Sequence, residues 1–295
     1  MRVYYADDYV LAGHHFDTTR KARWVADSLR DRPLAGLTLE SPAPLTEAEV
    51  LAVHDAGYVA AVRTGEPRML ATSQGFEWDA GLWPMVLASN GGAVAAARAA
   101  LADGVAGSLS SGLHHARRDH GAGFCTFNGL ALATRAALDA GADPILILDL
   151  DAHCGGGTYS LIAGDPRVWQ LDIAVDAYDQ YQPAGHHTLD LVTNASDYLP
   201  RVEARLADLE RTGPAFALCL FNAGMDPHEN CPIGGLLGIT AAILAERERL
   251  VFDWCRRRGI PVAFVLAGGY SGQALPQSAL VDLHRLTIAA ALAPL

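Results

Sequence analysis

Short apolar runs alternate along the chain with longer stretches in which apolar residues recur every three or four positions. The short runs are rich in Val, Ile, Leu and Phe, and several of them lead into glycine-rich segments. This pattern is typical of strands that are buried on both faces of a parallel sheet and covered by amphipathic helices. The predicted strands are residues 3–5, 105–109, 145–149, 168–173, 216–221 and 262–266.

Seven longer stretches have the apolar spacing of helices. The predicted helices are residues 17–30, 47–63, 84–102, 130–139, 197–211, 240–258 and 273–291. Thr46 and Glu49 are spaced as a capping box at the start of the second one. Because strands and helices alternate without a repeat or a low-complexity linker, we predict one doubly wound α/β domain over residues 1–295, with a mainly parallel sheet. The proline-containing segment 33–44 is predicted to be a surface loop.

Metal-binding chemistry follows the predicted strand 145–149. Asp149, Asp151 and His153 alternate there, and alternate residues of an extended backbone share a face. A carboxylate and an imidazole can therefore converge on one divalent cation. Asp226, which follows the predicted strand 216–221, is a suitable third ligand from the same edge of the sheet. Alternatively, Asp149 and Asp151 cap the next helix or accept backbone N–H bonds.

Two further segments carry candidate catalytic groups. His114 and His115 are adjacent after the predicted strand 105–109, where they can supply a base and an acid beside a metal-bound water. The alternative is a solvated polar turn. Tyr270 follows two glycines that let the backbone pass close to a ligand, although a lone tyrosine is also an ordinary half-buried residue.

Four motifs on these loops, in this order, resemble the zinc-dependent histone deacetylase family of the arginase–deacetylase superfamily: LHHARRDHGAGFCTFN, DLDAHCGGGT, NAGMDPHENCPIGGL and LAGGYS. The segment ERERLVFDWCRRRGIPVAFVLAGGY resembles the class IV branch most closely. The resemblance implies a metal-dependent amidohydrolase that removes acyl groups from N-acylated amines, either acyl-lysine or an acylpolyamine. It also implies Zn²⁺ or Fe²⁺ as the cofactor and potassium as a structural ion.

The resemblance also assigns roles to individual residues. Tyr270 would hydrogen-bond the scissile carbonyl, and Asp149 would pair with the first histidine beside the potassium site. The remaining assignments are the metal ligands Asp151, His153 and Asp226, the tandem catalytic histidines His114 and His115, the acyl-pocket residues Gly123 and Phe124, and Tyr181 or Tyr178 as the aromatic facing Phe124, of which Tyr181 is our choice.

Gly156 departs from the family pattern, which has Asp or Asn at this position to orient the second histidine. We therefore expect His115 to lack a carboxylate partner. This departure keeps open a non-catalytic relative that only binds acyl ligands. A binuclear manganese ureohydrolase is a second alternative, but its Asp-x-His-x-Asp motif would need an aspartate where Gly155 stands, which favours one metal ion.

Charge and composition narrow the function classes. The 33 acidic and 22 basic residues give a net charge of −11, which argues against binding nucleic acid through its phosphates. Asp7 and Asp8 stand where an export signal would be apolar, and no apolar run approaches the ~18 residues that cross a bilayer. We expect a cytoplasmic protein with a small-molecule or peptide substrate and no membrane partner. The oligomeric state stays open.

Overall fold

A single eight-stranded sheet lies at the centre of the computed structural model, which describes residues 1–14 and 16–294. All neighbouring strands are parallel, and their order is β2-β1-β3-β8-β7-β4-β5-β6. The α/β architecture predicted from the sequence is confirmed. The strands are Arg2–Tyr4 (β1), Thr38–Glu40 (β2), Val105–Ser108 (β3), Ile145–Asp149 (β4), Val168–Ala174 (β5), Thr188–Leu191 (β6), Leu218–Ala223 (β7) and Val262–Leu266 (β8).

Helices cover both faces of the sheet and form one apolar core on each side. They are Lys21–Asp31 (α1), Glu47–Leu51 (α2), Ala56–Thr64 (α3), Arg68–Ala71 (α4), Leu82–Asp103 (α5), Gly129–Asp139 (α6), Gly156–Ile162 (α7), Ala195–Thr212 (α8), Ala241–Arg258 (α9) and Gln277–Leu292 (α10). Helices α1, α8, α9 and α10 contribute Val25, Val202, Val251 and Leu280 to one core. Helices α3, α5 and α6 contribute Val59, Val94 and Leu130 to the other.

The predicted helix 47–63 is two helices, so that prediction was wrong. The capping box of Thr46 and Glu49 starts α2 as expected. The chain then turns, because the Asp55 N–H donates to the carbonyl of Arg118 at 2.8 Å and Asp55 is extended. A tertiary contact with a distant loop thus overrides the local helical spacing.

Both edge strands were missed. Strand β2 lies in the segment predicted as a surface loop and pairs with β1 by placing Thr38 opposite Arg2. Strand β6 pairs with β5 and is only partly buried. Three or four residues of mixed polarity carry too little periodicity to predict a strand, and only the neighbouring strand defines them.

Helix α5 corrects the expectation about membrane-crossing segments. Its 22 residues are long and apolar enough to span a bilayer by length and composition. However, 67% of its most apolar window is buried inside the protein. Its residues pack against α6, β3 and β8, so it is the central helix of one apolar core.

The parallel sheet places the chemistry of the chain at one edge. Because all strands run in the same direction, the loops that follow β3, β4, β5, β7 and β8 leave from the carboxyl ends of adjacent strands. These loops carry every site residue predicted from the sequence, apart from Asp149 at the end of β4.

Candidate active site

Asp151, His153 and Asp226 form one cluster at this edge of the sheet. Their nearest donor atoms all lie within 4.8 Å of one another, and all three residues are buried. His153 Nδ1 is 3.0 Å from Asp151 Oδ1 and 3.3 Å from Asp226 Oδ2. Loops after β4 and β7 therefore meet as the sequence predicted, and neither Asp149 nor Asp151 caps helix α7.

Backbone N–H groups hold the two carboxylates of this cluster in place. Gly268 donates to Asp151 Oδ2 at 2.6 Å, and Ala152 donates to Asp226 Oδ1 at 2.9 Å. Asp226 Oδ2 is buried and has no hydrogen-bond partner. A side chain on Gly268 would overlap this oxygen, so the absence of a Cβ keeps the space beside it open.

His114 lies behind the cluster and pairs with a carboxylate at the end of a central strand. Its Nδ1 is 2.8 Å from Asp149 Oδ2, as the resemblance implied. Asp149 Oδ1 accepts a hydrogen bond from Asn222 Nδ2 at 2.8 Å, and Asn222 is the residue beside it on β7. Two adjacent strands thus fix this histidine–carboxylate pair.

His115 also has a carboxylate partner, which corrects the expectation drawn from Gly156. Its Nδ1 is 3.0 Å from Oδ2 of Asp179, a residue of the loop after β5. A Cβ on Gly156 would lie 2.6 Å from Asp179 Oδ1. The glycine therefore makes room for a carboxylate that comes from another loop. No short motif marks Asp179, and only the pairing of β5 with β4 brings it near His115.

A cavity of about 690 Å³ reaches the cluster of Asp151, His153 and Asp226 at His153. His115, His153 and Tyr270 line it, whereas His114 is not among its lining residues. Gly123, Phe124 and Tyr178 form part of the wall.

Tyr178, and not Tyr181, is the tyrosine of this wall, so our choice of Tyr181 is corrected. The Tyr181 ring instead stacks on Tyr159 at a centroid distance of 4.3 Å. The Tyr178 ring meets His115 edge to face at 4.9 Å. Both tyrosines belong to one loop, and their spacing in the sequence does not show which of them faces Phe124.

Burial and neighbouring charges give the adjacent His114 and His115 very different pKa values. Burial and the charge of His114 lower the pKa of His115 to about 4. Burial also opposes a charge on His114, but Asp149 and Asp151 outweigh it and raise its pKa to about 10. His115 is therefore neutral near pH 7 and able to accept a proton, and His114 is a cation beside the carboxylates.

The pKa values of Asp226, His153 and Tyr270 are shifted as well. Burial and the neighbouring Asp151 raise the pKa of Asp226 to about 6. Burial opposes a charge on His153, but its hydrogen bond with Asp151 and the nearby carboxylate of Asp226 raise its pKa to about 11. Burial, followed by the charges of Asp226 and Asp151, raises the pKa of Tyr270 above its usual range, so its hydroxyl stays protonated.

A second group of buried oxygens lies on β5, the strand beside Asp149. Asp172, on the neighbouring strand, is fully buried, and burial and the charge of Asp149 raise its pKa well above the usual range. Asp172 Oδ1 and Gln170 Oε1 have no hydrogen-bond partner. Oxygen atoms of this kind suit a hard cation, and the resemblance implies potassium in this neighbourhood.

Comparisons with known proteins show the family and the fold of the chain. The family model for the histone deacetylase domain matches residues 14–286. Histone deacetylase 2 of Arabidopsis thaliana is 26% identical over 274 residues, which is 87% of this chain and 70% of that protein. Acetylpolyamine amidohydrolase 1 of Pseudomonas aeruginosa is 30% identical over 176 residues, which is 55% of this chain and 49% of that protein. The crystal structure of the HDA15 HD domain has a TM-score of 0.82 at 20% identity and covers 100% of this chain and 91% of its own, which shows the fold.

Proposed function

Given that this chain belongs to the histone deacetylase domain family, we propose that it is a metal-dependent amidohydrolase that removes acyl groups from N-acylated amines. One observation carries the proposal. Asp151, His153 and Asp226 converge, and His153 lines the same cavity as His115 and Tyr270. A potential set of metal ligands, a neutral base and a protonated hydroxyl thus border the same space.

The ligand set fits one divalent cation. Two carboxylates and a neutral imidazole balance a +2 charge, and the unpaired Asp226 Oδ2 gains a partner when the ion binds. Zn²⁺ is the cation we propose, with Fe²⁺ as the alternative, because imidazole and carboxylate suit both. When bound, such a cation lowers the pKa of a coordinated water from about 15.7 to about 7 and polarises the acyl carbonyl.

The residues of the chain supply the proton transfers. His115 borders the cavity and its Nδ1–H donates to Asp179, so its Nε2 is left to accept the proton of the attacking water. The protonated imidazole then delivers that proton to the leaving amine, since an amide anion is a poor leaving group. The Tyr270 hydroxyl donates to the oxyanion that develops on the acyl carbonyl. His114, beside Asp149, adds a positive charge behind the site.

The substrate class follows from the cavity and the relatives. Phe124 and Tyr178 form an apolar wall suited to an acyl chain or an alkyl amine. Two curated relatives bear the names histone deacetylase and acetylpolyamine amidohydrolase, so we propose an acyl-lysine or an acylpolyamine as the substrate. We also propose that potassium binds at the unpaired oxygens of Asp172 and Gln170. A cytoplasmic location is a separate proposal, which rests on the sequence alone.

Two other functions fit less well. The argument for a non-catalytic acyl-ligand binder was that Gly156 leaves His115 without a carboxylate, but Asp179 provides that carboxylate. A binuclear manganese ureohydrolase needs bridging carboxylates. Among the described residues, the cluster that could hold a metal has three members, and glycine occupies position 155.

The test is a panel of acyl-lysine peptides and acylpolyamines, from acetyl to myristoyl, assayed with the purified full chain. The protein is stripped with a chelator and then loaded with Zn²⁺, Fe²⁺ or Mn²⁺, and metal content is measured alongside turnover. We expect about one ion per chain and turnover only in the loaded protein. Two ions per chain with arginine-type substrates turned over, or tight ligand binding without any turnover, would favour one of the two other functions.

Tyr270→Phe separates chemistry from metal binding in the same assay. Loss of one oxyanion donor typically lowers kcat by about 10²–10³-fold. Metal content should be unchanged, because Tyr270 is not in the ligand cluster. An unchanged kcat would reject the oxyanion role of Tyr270.

A further inference from the structure

We propose that Asp179 is the positioning residue of His115, and that the loop after β5 thereby sets the proton acceptor of the site. This inference rests on the proposed function for its effect on turnover. Its geometric part, the orientation of the His115 ring, can be measured without any turnover.

Three donors converge on the Asp179 carboxylate. His115 Nδ1 and the Gly157 N–H both contact Oδ2, at 3.0 and 2.9 Å. The Arg117 guanidinium donates to Oδ1. The Asp179 side chain is only 8% exposed. A carboxylate that already accepts these hydrogen bonds requires a proton on His115 Nδ1, which leaves Nε2 free as an acceptor.

The local backbone is built around this carboxylate. Asp179 has a φ of +60°, in the left-handed region that few non-glycine residues adopt and that aspartate adopts more readily than most. Any side chain at Gly156 would overlap the Asp179 carbonyl oxygen and crowd its carboxylate. Arg117 closes the arrangement by donating to the Gly156 carbonyl at 3.2 Å. Positions 117, 156 and 179 therefore form one unit around His115.

The same loop also contacts the other side of the imidazole. Tyr178, next to Asp179, packs edge to face on His115 at 4.9 Å and lines the cavity. The loop thus fixes the ring through one hydrogen bond and one aromatic contact. Its displacement would alter the proton acceptor and the cavity wall together.

A purely structural role is the competing explanation, in which Asp179 only anchors Arg117 and the loop. Asp179→Ala removes the acceptor for His115, and Asp179→Asn can turn its amide oxygen toward His115 and Gly157 because Arg117 is partly exposed and can move away. Gln180→Ala is the matched control, since Gln180 is the next residue and its side chain is exposed.

The experiment measures the tautomer of His115 by ¹⁵N NMR in the metal-free protein near pH 7, with the signal assigned by its loss in His115→Ala. We expect Nδ1–H in the wild type and in Gln180→Ala, and a shift toward Nε2–H in Asp179→Ala that Asp179→Asn largely reverses. In the metal-loaded enzyme, Asp179→Ala should lower kcat by about 10- to 100-fold with little change in KM. Gln180→Ala should keep wild-type kcat, and Asp179→Asn should fall between.

Two results would overturn the proposal. One is an unchanged His115 tautomer in Asp179→Ala. The other is a kcat that falls equally in Asp179→Ala and Gln180→Ala, which would mean that the loop and not the carboxylate matters. A wild type without deacylase activity would reject the proposed function, yet the tautomer would still decide the orientation of His115.

Discussion

The site contains two histidine–carboxylate pairs that look alike and are built differently. His114 pairs with Asp149 at 2.8 Å, and His115 pairs with Asp179 at 3.0 Å. Asp149 ends a central strand and is fully buried. Asp179 lies on a loop, in a left-handed backbone conformation. The inner pair is thus part of the sheet, whereas the outer pair belongs to the cavity wall.

Their supports differ in the same way. Asp149 accepts hydrogen bonds from Asn222 on the next strand and from the Asp151 N–H. Asp179 is held by Arg117, whose side chain is 32% exposed, and by one backbone N–H. One histidine–carboxylate pair is thus fixed by the sheet itself, and the other is held by a loop, the kind of segment that changes more freely.

The largest expected effect is on the free energy of unfolding, which should fall more when the inner pair is broken than when the outer pair is broken. Asp149→Ala removes the hydrogen-bond partner of the buried His114 Nδ1 and leaves Asp151, 3.5 Å from Nε2, as its carboxylate neighbour. Breaking such a buried pair costs about 3–5 kcal/mol in the free energy of unfolding. Asp179→Ala should cost only about 1–3 kcal/mol, because its neighbours border the cavity or solvent. Denaturant unfolding of both metal-free variants, followed by circular dichroism, measures the difference.

Asn222→Ala is the control for this comparison. It removes one hydrogen bond to Asp149 but keeps the pair with His114, so its cost should be close to that of Asp179→Ala. Equal costs for Asp149→Ala and Asp179→Ala would show that the sheet does not distinguish the two pairs.

The inner pair could be predicted from the sequence and the outer pair could not. Asp149 ends an apolar run whose bounds, 145–149, the structure reproduces, and alternation along that strand places Asp151 beside it. Asp179 follows no periodic pattern, since its backbone is irregular and its partner is 64 residues away. For the same reason, the turn at Asp55 and the edge strands β2 and β6 escaped prediction. Each of them is defined by a contact with a distant segment.

The stability of the protein in acid should depend on His54, which contacts the loop that carries His114 and His115. His54 is buried and contacts the Arg117 carbonyl through Nδ1 at 2.8 Å, and it accepts from the Asn128 N–H at 3.0 Å. Burial lowers the pKa of His54 from its ordinary 6.5 to about 4, so the unfolded chain binds the extra proton first. The stability that neutral His54 provides is complete above about pH 6.5 and is lost as the pH falls toward about 4.

The expected loss from this one group is about 3 kcal/mol between those pH values. His54→Gln removes the titrating group, so the variant should be less stable near pH 7 but should show a shallower decline toward pH 4. Urea unfolding of both proteins at several pH values measures the two slopes. Equal slopes would mean that His54 titrates alike in the folded and unfolded chains.

The smallest expected effect, in Gly156→Ala, sharpens the comparison because it should disturb the outer pair alone. A methyl group at position 156 overlaps the Asp179 carbonyl oxygen, so the loop must shift and loosen its contact with His115. The three atoms nearest to this methyl group all belong to Asp179, and none belongs to the inner pair of His114 and Asp149. We expect kcat to fall about tenfold while metal content stays unchanged.

Gly164→Ala is the matched control for this substitution, because its added methyl group meets nothing within 4 Å. It should leave kcat and the His115 tautomer as in the wild type. If Gly156→Ala also left both unchanged, the glycine would not be required for the Asp179 contact, and a family-like carboxylate at position 156 would be compatible with this loop. If instead Gly156→Ala shifted the tautomer as Asp179→Ala does, the glycine and the aspartate would act as one unit, because each is needed for the other to occupy its place.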